Sequence, residues 1–322
     1  MQAKRGRGAR DRASVADHPR AQRASPGARP SLREAFFVAA LLAVATLSVL
    51  STYTRIEPEE LYNVSVDGLE GGLGRTLVLL NYPVALVAIA LAALAADRLA
   101  RRVFDVVAIV AVALCALVVM PGVVDQDDLD ARPVNALPAL GVLLVALLVA
   151  AAVRESGVGR SLPRLPADRL RLALAAALAV LGIPWIFAEL GFYAPDPILA
   201  DEVPAGETLA AVHLGHHHGT DGVLLGLAAL ALSRAVPTLR RRRLAAALSG
   251  YLALMLAYGV AIAVEDGWHE QVTKRGWTEF KIPSLLRPEP TLWWAGIVAA
   301  AVAVELLWFR RERASSPDPA PR

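Results

Sequence analysis

The chain has 322 residues, of which 56% are hydrophobic, and its mean hydropathy is +0.47. An ordinary soluble domain is less apolar than this, and several runs approach the 18 or so uncharged residues that a membrane-spanning helix needs. The net charge of +3 is small, and no nucleic-acid-binding motif accompanies it, so we expect no nucleic-acid partner. The single cysteine, Cys115, excludes an intrachain disulfide and a cysteine-rich metal site.

In chain order, a tail is followed by eight apolar segments. Residues 1–33 hold nine Lys or Arg against two Asp, with Pro, Gly and Ser between them, and predict a disordered basic tail. Residues 34–310 predict an all-α, polytopic integral membrane domain with about eight transmembrane helices and a longer loop at 265–290. Residues 311–322 predict a second disordered tail. The predicted spans are 35–53, 76–96, 103–124, 136–153, 172–192, 208–233, 244–264 and 291–309.

The loops between these spans differ in charge from one side to the other. The two tails and the even-numbered loops hold 26 of the 33 cationic residues, whereas 20 of the 30 acidic residues lie on the side of the odd-numbered loops, including Glu189 and Asp221 at the outer ends of spans. Basic loops stay in the cytoplasm, so this asymmetry predicts that both termini are cytoplasmic. Short loops and an Ala- and Arg-rich composition indicate a bacterial plasma membrane protein, with the lipid bilayer as its surroundings.

A histidine-rich stretch begins the sixth span, on the predicted extracytoplasmic side. A helix through this stretch would place His213, His216, His217 and Asp221 on one arc of roughly 140°. Gly215, Gly219, Gly222 and Gly226 would line the opposite side, where small residues let membrane helices approach closely. Imidazoles one turn apart can bind one ion, so the stretch predicts a divalent metal site, with zinc or iron as the metal.

One helix rarely supplies every ligand of a metal ion, so partners are expected at the same depth. Glu189 lies at the outer end of the fifth span, and a carboxylate there is costly unless it is paired or functional. The seventh span carries a stripe of side chains that would reach His269 if the helix continued past Gly267. We therefore predict His213, His216, His217 and His269 as metal ligands, and Glu189 or Asp221 as a catalytic general base.

These residues allow three functions. The first is a metal-dependent enzyme that acts on a lipid-linked or envelope substrate, in which a metal-bound water is the nucleophile. The second is a transporter that captures a metal ion or a proton at an outer vestibule. The third is a membrane scaffold or sensor whose histidines respond to external pH. Few polar residues cross the predicted core, which favours chemistry at the outer side over transport.

Overall fold

A computed structural model describes residues 32–61, 65–124, 131–159, 162–192, 213–215 and 217–315, and within these ranges the ordered elements are all helical. Seven of the helical segments are long and apolar enough to cross a membrane, and a bent helix pair makes eight if it counts as one span. The prediction of an all-α chain with about eight helices of this kind is therefore confirmed. The α-helices are α1 (Arg33–Arg55), α2 (Gly68–Leu79), α3 (Ala85–Leu99), α4 (Arg102–Ala116), α5 (Ala136–Ser156), α6 (Asp168–Leu181), α7 (Ile183–Glu189), α8 (His218–Ser233), α9 (Arg242–Trp268), α10 (Leu292–Val304) and α11 (Arg310–Ser315).

The second span is a single long segment with a π turn at its middle. The turn, Leu80–Val84, joins α2 to α3 and contains Pro83, which has no N–H for the helical ladder. The Asn81 side chain donates to the carbonyl oxygen of Leu77 at 2.8 Å, and the Asn135 side chain donates to Asn81 Oδ1 at 3.0 Å. Hydrogen bonds between these buried amides connect the π turn to the residue that precedes α5.

Helix α8 lies at the centre of the bundle and packs along α9. At their crossing, a Cβ on Gly222 would lie 2.5 Å from the carbonyl oxygen of Gly259, so only glycine fits. The predicted small-residue face is thus a packing face, although its glycines contact different neighbours. Gly219 packs against Trp185 of α7, and Gly226 packs against Leu178 of α6.

Three helical segments extend well beyond the predicted spans. Helix α9 and its π turn, His269–Thr273, continue past Gly267 into the predicted 265–290 loop. Helix α2 begins at Gly68, inside the segment predicted as a loop, so Arg75 lies on a helix. At the C-terminus α11 ends at Ser315, so residues 311–315 are helical rather than part of a tail. In the α9 and α11 extensions, buried acidic residues hold the added turns in place through ion pairs that hydropathy cannot show.

The two ends of the bundle have different polar contacts. We call the end where α8 begins the histidine end, and the other end the arginine end. At the arginine end Arg241 binds Asp105 at 2.8 Å and Arg234 binds Glu34 at 3.0 Å. These pairs connect helices that are far apart in sequence.

Candidate metal centre and adjacent cavity

The histidine stretch is a loop where the sequence predicted a helix. Helix α8 begins only at His218, and His217 precedes it with extended backbone angles, φ −118° and ψ 144°. Gly215 has a φ of +99°, a left-handed conformation that a helix cannot contain, and its N–H donates to the carbonyl oxygen of Ala188 at 3.1 Å. The predicted helical arc is therefore wrong, because the stretch turns at Gly215 and packs against α7. His216 lies outside the described residues.

His213 and His217 nevertheless meet, and Glu270 joins them. One possible ligand atom from each of the three side chains lies within 4.8 Å of the other two. The centroids of the two imidazole rings are 4.3 Å apart. His213, His217 and Glu270 are 8%, 3% and 4% exposed. This buried group, which we call the His–Glu cluster, can hold a metal ion.

The hydrogen bonds around the His–Glu cluster orient its side chains. His217 Nε2 lies 3.0 Å from the backbone carbonyl oxygen of His213. A carbonyl oxygen only accepts, so Nε2 carries the proton and the lone pair is on Nδ1. Lys274 Nζ lies 3.0 Å from Glu270 Oε1. Metal-binding imidazoles and carboxylates usually make such outer hydrogen bonds, and these fix the ligand orientation.

Glu270 was missed by the sequence analysis, which predicted its neighbour His269. His269 begins the π turn and is not among the grouped ligands of the described residues. A signal did exist, because Ile262, Asp266 and Glu270 follow one another at steps of four and all are buried. On the same stripe, Asp266 Oδ2 accepts from the N–H of Gly219 at 2.8 Å and so caps the start of α8.

A cavity of about 380 Å³ lies at the histidine end, and the three side chains of the His–Glu cluster are not part of its wall. His218, which directly follows His217, lines it together with Asp221, and His218 Nδ1 lies 3.7 Å from Asp221 Oδ2. The predicted catalytic residue Asp221 is thus 2% exposed and faces this cavity with a histidine partner. A paired imidazole and carboxylate can accept and return a proton.

Further aromatic and charged side chains complete the cavity wall. The hydroxyl groups of Tyr82 and Tyr258 are hydrogen-bonded to each other, and Tyr258 also donates to the carbonyl oxygen of Leu286 at 2.7 Å. Arg75 lines the wall from α2, while Arg287 and Glu289 line it from the segment before α10. The histidine end therefore combines a possible metal centre with a cavity that carries acid–base and cationic groups.

The second predicted catalytic residue, Glu189, belongs to neither group. It is the last residue of α7, 5% exposed, and its carbonyl oxygen accepts from the Thr52 hydroxyl. The segment α6–α7 bends by 55° before it, at Gly182. Its side chain lines neither the cavity nor the His–Glu cluster. A catalytic role for Glu189 stays a prediction.

The chain matches no family model, and no curated protein or solved structure matches it. The chemistry of the site therefore follows from its own residues.

Proposed function

We propose that the protein is a metal-dependent enzyme of the bacterial plasma membrane, acting on a substrate at the extracytoplasmic face. The observation that carries the proposal is the His–Glu cluster, in which two imidazoles and one carboxylate lie within 4.8 Å. Two histidines and one glutamate form a catalytic zinc set that leaves a position for water. Two histidines and one carboxylate also bind non-haem iron(II), so zinc and iron are the expected metals.

The surroundings of the His–Glu cluster favour chemistry over simple structural metal binding. A structural zinc site has four protein ligands, whereas this group has three among the described residues. The wall of the cavity includes His218, the residue after His217, and the His218–Asp221 pair there can move protons for a reaction. The charge asymmetry of the loops supports a position of this end outside the cytoplasm, with both termini inside.

Metal content of the purified protein tests this proposal. We expect about one zinc or iron per chain when the protein is purified in detergent through a tag without histidine and measured by plasma mass spectrometry. His213→Ala/His217→Ala and Glu270→Gln should each lose most of the metal, because each removes a ligand. His269→Ala is the matched control and should keep it, because His269 adjoins Glu270 but lies outside the His–Glu cluster.

Two outcomes would contradict the proposal. One is a well-folded wild-type protein that holds no metal after growth with added zinc and iron. The other is full metal content in the double histidine variant. Loss of the metal in His269→Ala together with full metal content in Glu270→Gln would show that His269, and not Glu270, is the third ligand.

A transporter is the second candidate. A cavity of about 350 Å³ lies at the arginine end and includes Arg98 and Glu155 in its wall. A route between the two cavities would have to open through buried α3 residues such as Ala88, Leu91 and Ala95. Metal uptake into proteoliposomes, absent for His213→Ala/His217→Ala, would favour transport over catalysis. A scaffold or pH sensor stays a prediction from the sequence.

A further inference from the structure

We infer that the cavity binds the anionic head of an amphiphile, with Arg75 as its anchor. The ligand class is an oxyanion, a phosphate or a carboxylate, joined to a hydrocarbon chain. This inference goes beyond the proposed metal chemistry. It depends on the cavity wall and not on the His–Glu cluster. An experiment can therefore contradict this inference without contradicting the proposed metal chemistry, and the reverse.

The first observation is the position of Arg75. It lies on α2, is 2% exposed, and lines the cavity. Its guanidinium carbon lies 5.7 Å from the centroid of the Tyr53 ring, which supports one face of the group. Within the part of the chain that the structure describes, Nε and Nη1 of Arg75 have no hydrogen-bond partner.

Burying an arginine without hydrogen-bond partners for its nitrogens costs free energy of folding. Arginine remains charged in proteins, and a charge removed from water needs a partner of opposite sign. Arg171, equally buried at the arginine end, meets this need by binding Glu312 through both of its terminal nitrogens. The cavity therefore holds a cation whose fork of donors fits an oxyanion from outside the chain.

Two acids also line the cavity and could compete for Arg75. Asp221 lies with His218 at 3.7 Å, and Glu289 belongs to the segment before α10. Arg75 forms an ion pair with neither of them. Arg287 contributes a second cationic side chain to the same wall. An anionic group beside Arg75 would also lie in the cavity that the His218–Asp221 pair faces.

The rest of the cavity is suited to a hydrocarbon chain rather than to a free ion. The wall continues through apolar side chains on the π turn, the end of α4 and α9. Three of the apolar wall residues are also exposed, two just after α4 and one on α9: Val119, Met120 and Leu254. A chain attached to the anion could therefore extend along this side into the bilayer. The remaining apolar wall residues include Val78, Leu79, Leu86 and Met255.

Calorimetric titration of the full-length protein in a maltoside detergent tests the inference. The probe is dodecyl phosphate, and inorganic phosphate and dodecyltrimethylammonium are titrated in parallel. We expect saturable binding of dodecyl phosphate, at least tenfold weaker in Arg75→Met and partly retained in Arg75→Lys, which keeps the charge without the fork. Arg243→Met, which removes an exposed arginine at the arginine end, should bind like the wild type.

The probes distinguish the possible ligands. Much weaker binding of inorganic phosphate supports an amphiphile, whereas equal binding would overturn the amphiphile and leave a free oxyanion site. Wild-type protein that fails to bind dodecyl phosphate, or Arg75→Lys and Arg75→Met that both bind it normally, would overturn the inference. His213→Ala/His217→Ala should still bind dodecyl phosphate, and this separates the cavity from the metal centre.

Discussion

Two buried arginines of this chain have opposite surroundings. Arg171 lies between Glu312, Asp168 and the ring of Trp308, and its Nε donates to the Ser233 hydroxyl at 2.9 Å. Arg75 has the face of the Tyr53 ring but no carboxylate partner among the residues that the structure describes. A buried ion pair stabilises mainly by compensating charges that are already removed from water. Arg171 therefore contributes to stability, whereas Arg75 is retained at a cost that a ligand would offset.

Replacing each arginine by methionine should change stability in opposite directions. Arg171→Met leaves the Glu312 carboxylate buried without its cation and should lower the free energy of unfolding by about 3–5 kcal/mol. Arg75→Met removes an uncompensated charge and should raise it, by on the order of 1 kcal/mol, in ligand-free detergent solution. Denaturant unfolding followed by circular dichroism measures both. Equal destabilisation by the two variants would show that Arg75 has a structural partner.

At the scale of helices, the close approach of α8 and α9 can be tested by adding one methyl group. A Cβ on Gly222 would lie 2.5 Å from Gly259 O and 2.7 Å from Ala263 N, and these backbone atoms cannot yield without separating the helices. Gly222→Ala should therefore destabilise the protein by about 1–3 kcal/mol. Gly250→Ala is the matched control, because its Cβ would meet nothing within 4 Å. It should be neutral or stabilising by up to about 1 kcal/mol. Similar melting temperatures for the two variants would contradict the close crossing.

The sequence analysis predicted which segments are helical more accurately than it predicted where each helix begins and ends. Each predicted span overlaps a helical segment, or the bent pair α6–α7, that is long and apolar enough to cross a membrane, because about twenty apolar residues in a row favour such a helix. It could not locate the start of α8, since Gly215 and the contact with α7 are tertiary features that break an otherwise plausible helical pattern. The pair His213 and His217 was predicted from helical spacing and is formed instead by a loop.

The positions of the other site residues could not be predicted from the sequence, because they depend on helix register and on side-chain burial. Glu270 rather than His269 reaches the His–Glu cluster, because Glu270 lies on the buried stripe of Ile262 and Asp266. Arg75 was counted among loop charges, because the sequence does not show that α2 begins at Gly68. Asp221 was predicted as a general base on the histidine arc, and it lies on the cavity wall with His218.

At the scale of the whole molecule, the two ends are specialised. The arginine end carries arginines paired with acids between distant helices, such as Arg234 with Asp168 and Arg241 with Asp105. The histidine end carries the His–Glu cluster and the cavity with Arg75. Ion pairs at the arginine end connect distant helices, whereas the polar groups at the histidine end surround a cavity and form the His–Glu cluster. A fixed orientation in the membrane would present these two ends to different compartments.

The orientation can be tested by cysteine labelling in intact cells. Cys115 is fully buried, and Cys115→Ala gives a background without thiols. Glu279→Cys places an exposed thiol on the α9–α10 connection at the histidine end, and Arg164→Cys places one on the α5–α6 connection at the arginine end. If basic loops are cytoplasmic, a membrane-impermeant maleimide should label Glu279→Cys in intact cells and Arg164→Cys only after permeabilisation. The reverse pattern would place the His–Glu cluster and its cavity on the cytoplasmic side. A substrate of the proposed enzyme would then have to come from the cell interior, so this measurement decides on which side of the membrane to look for it.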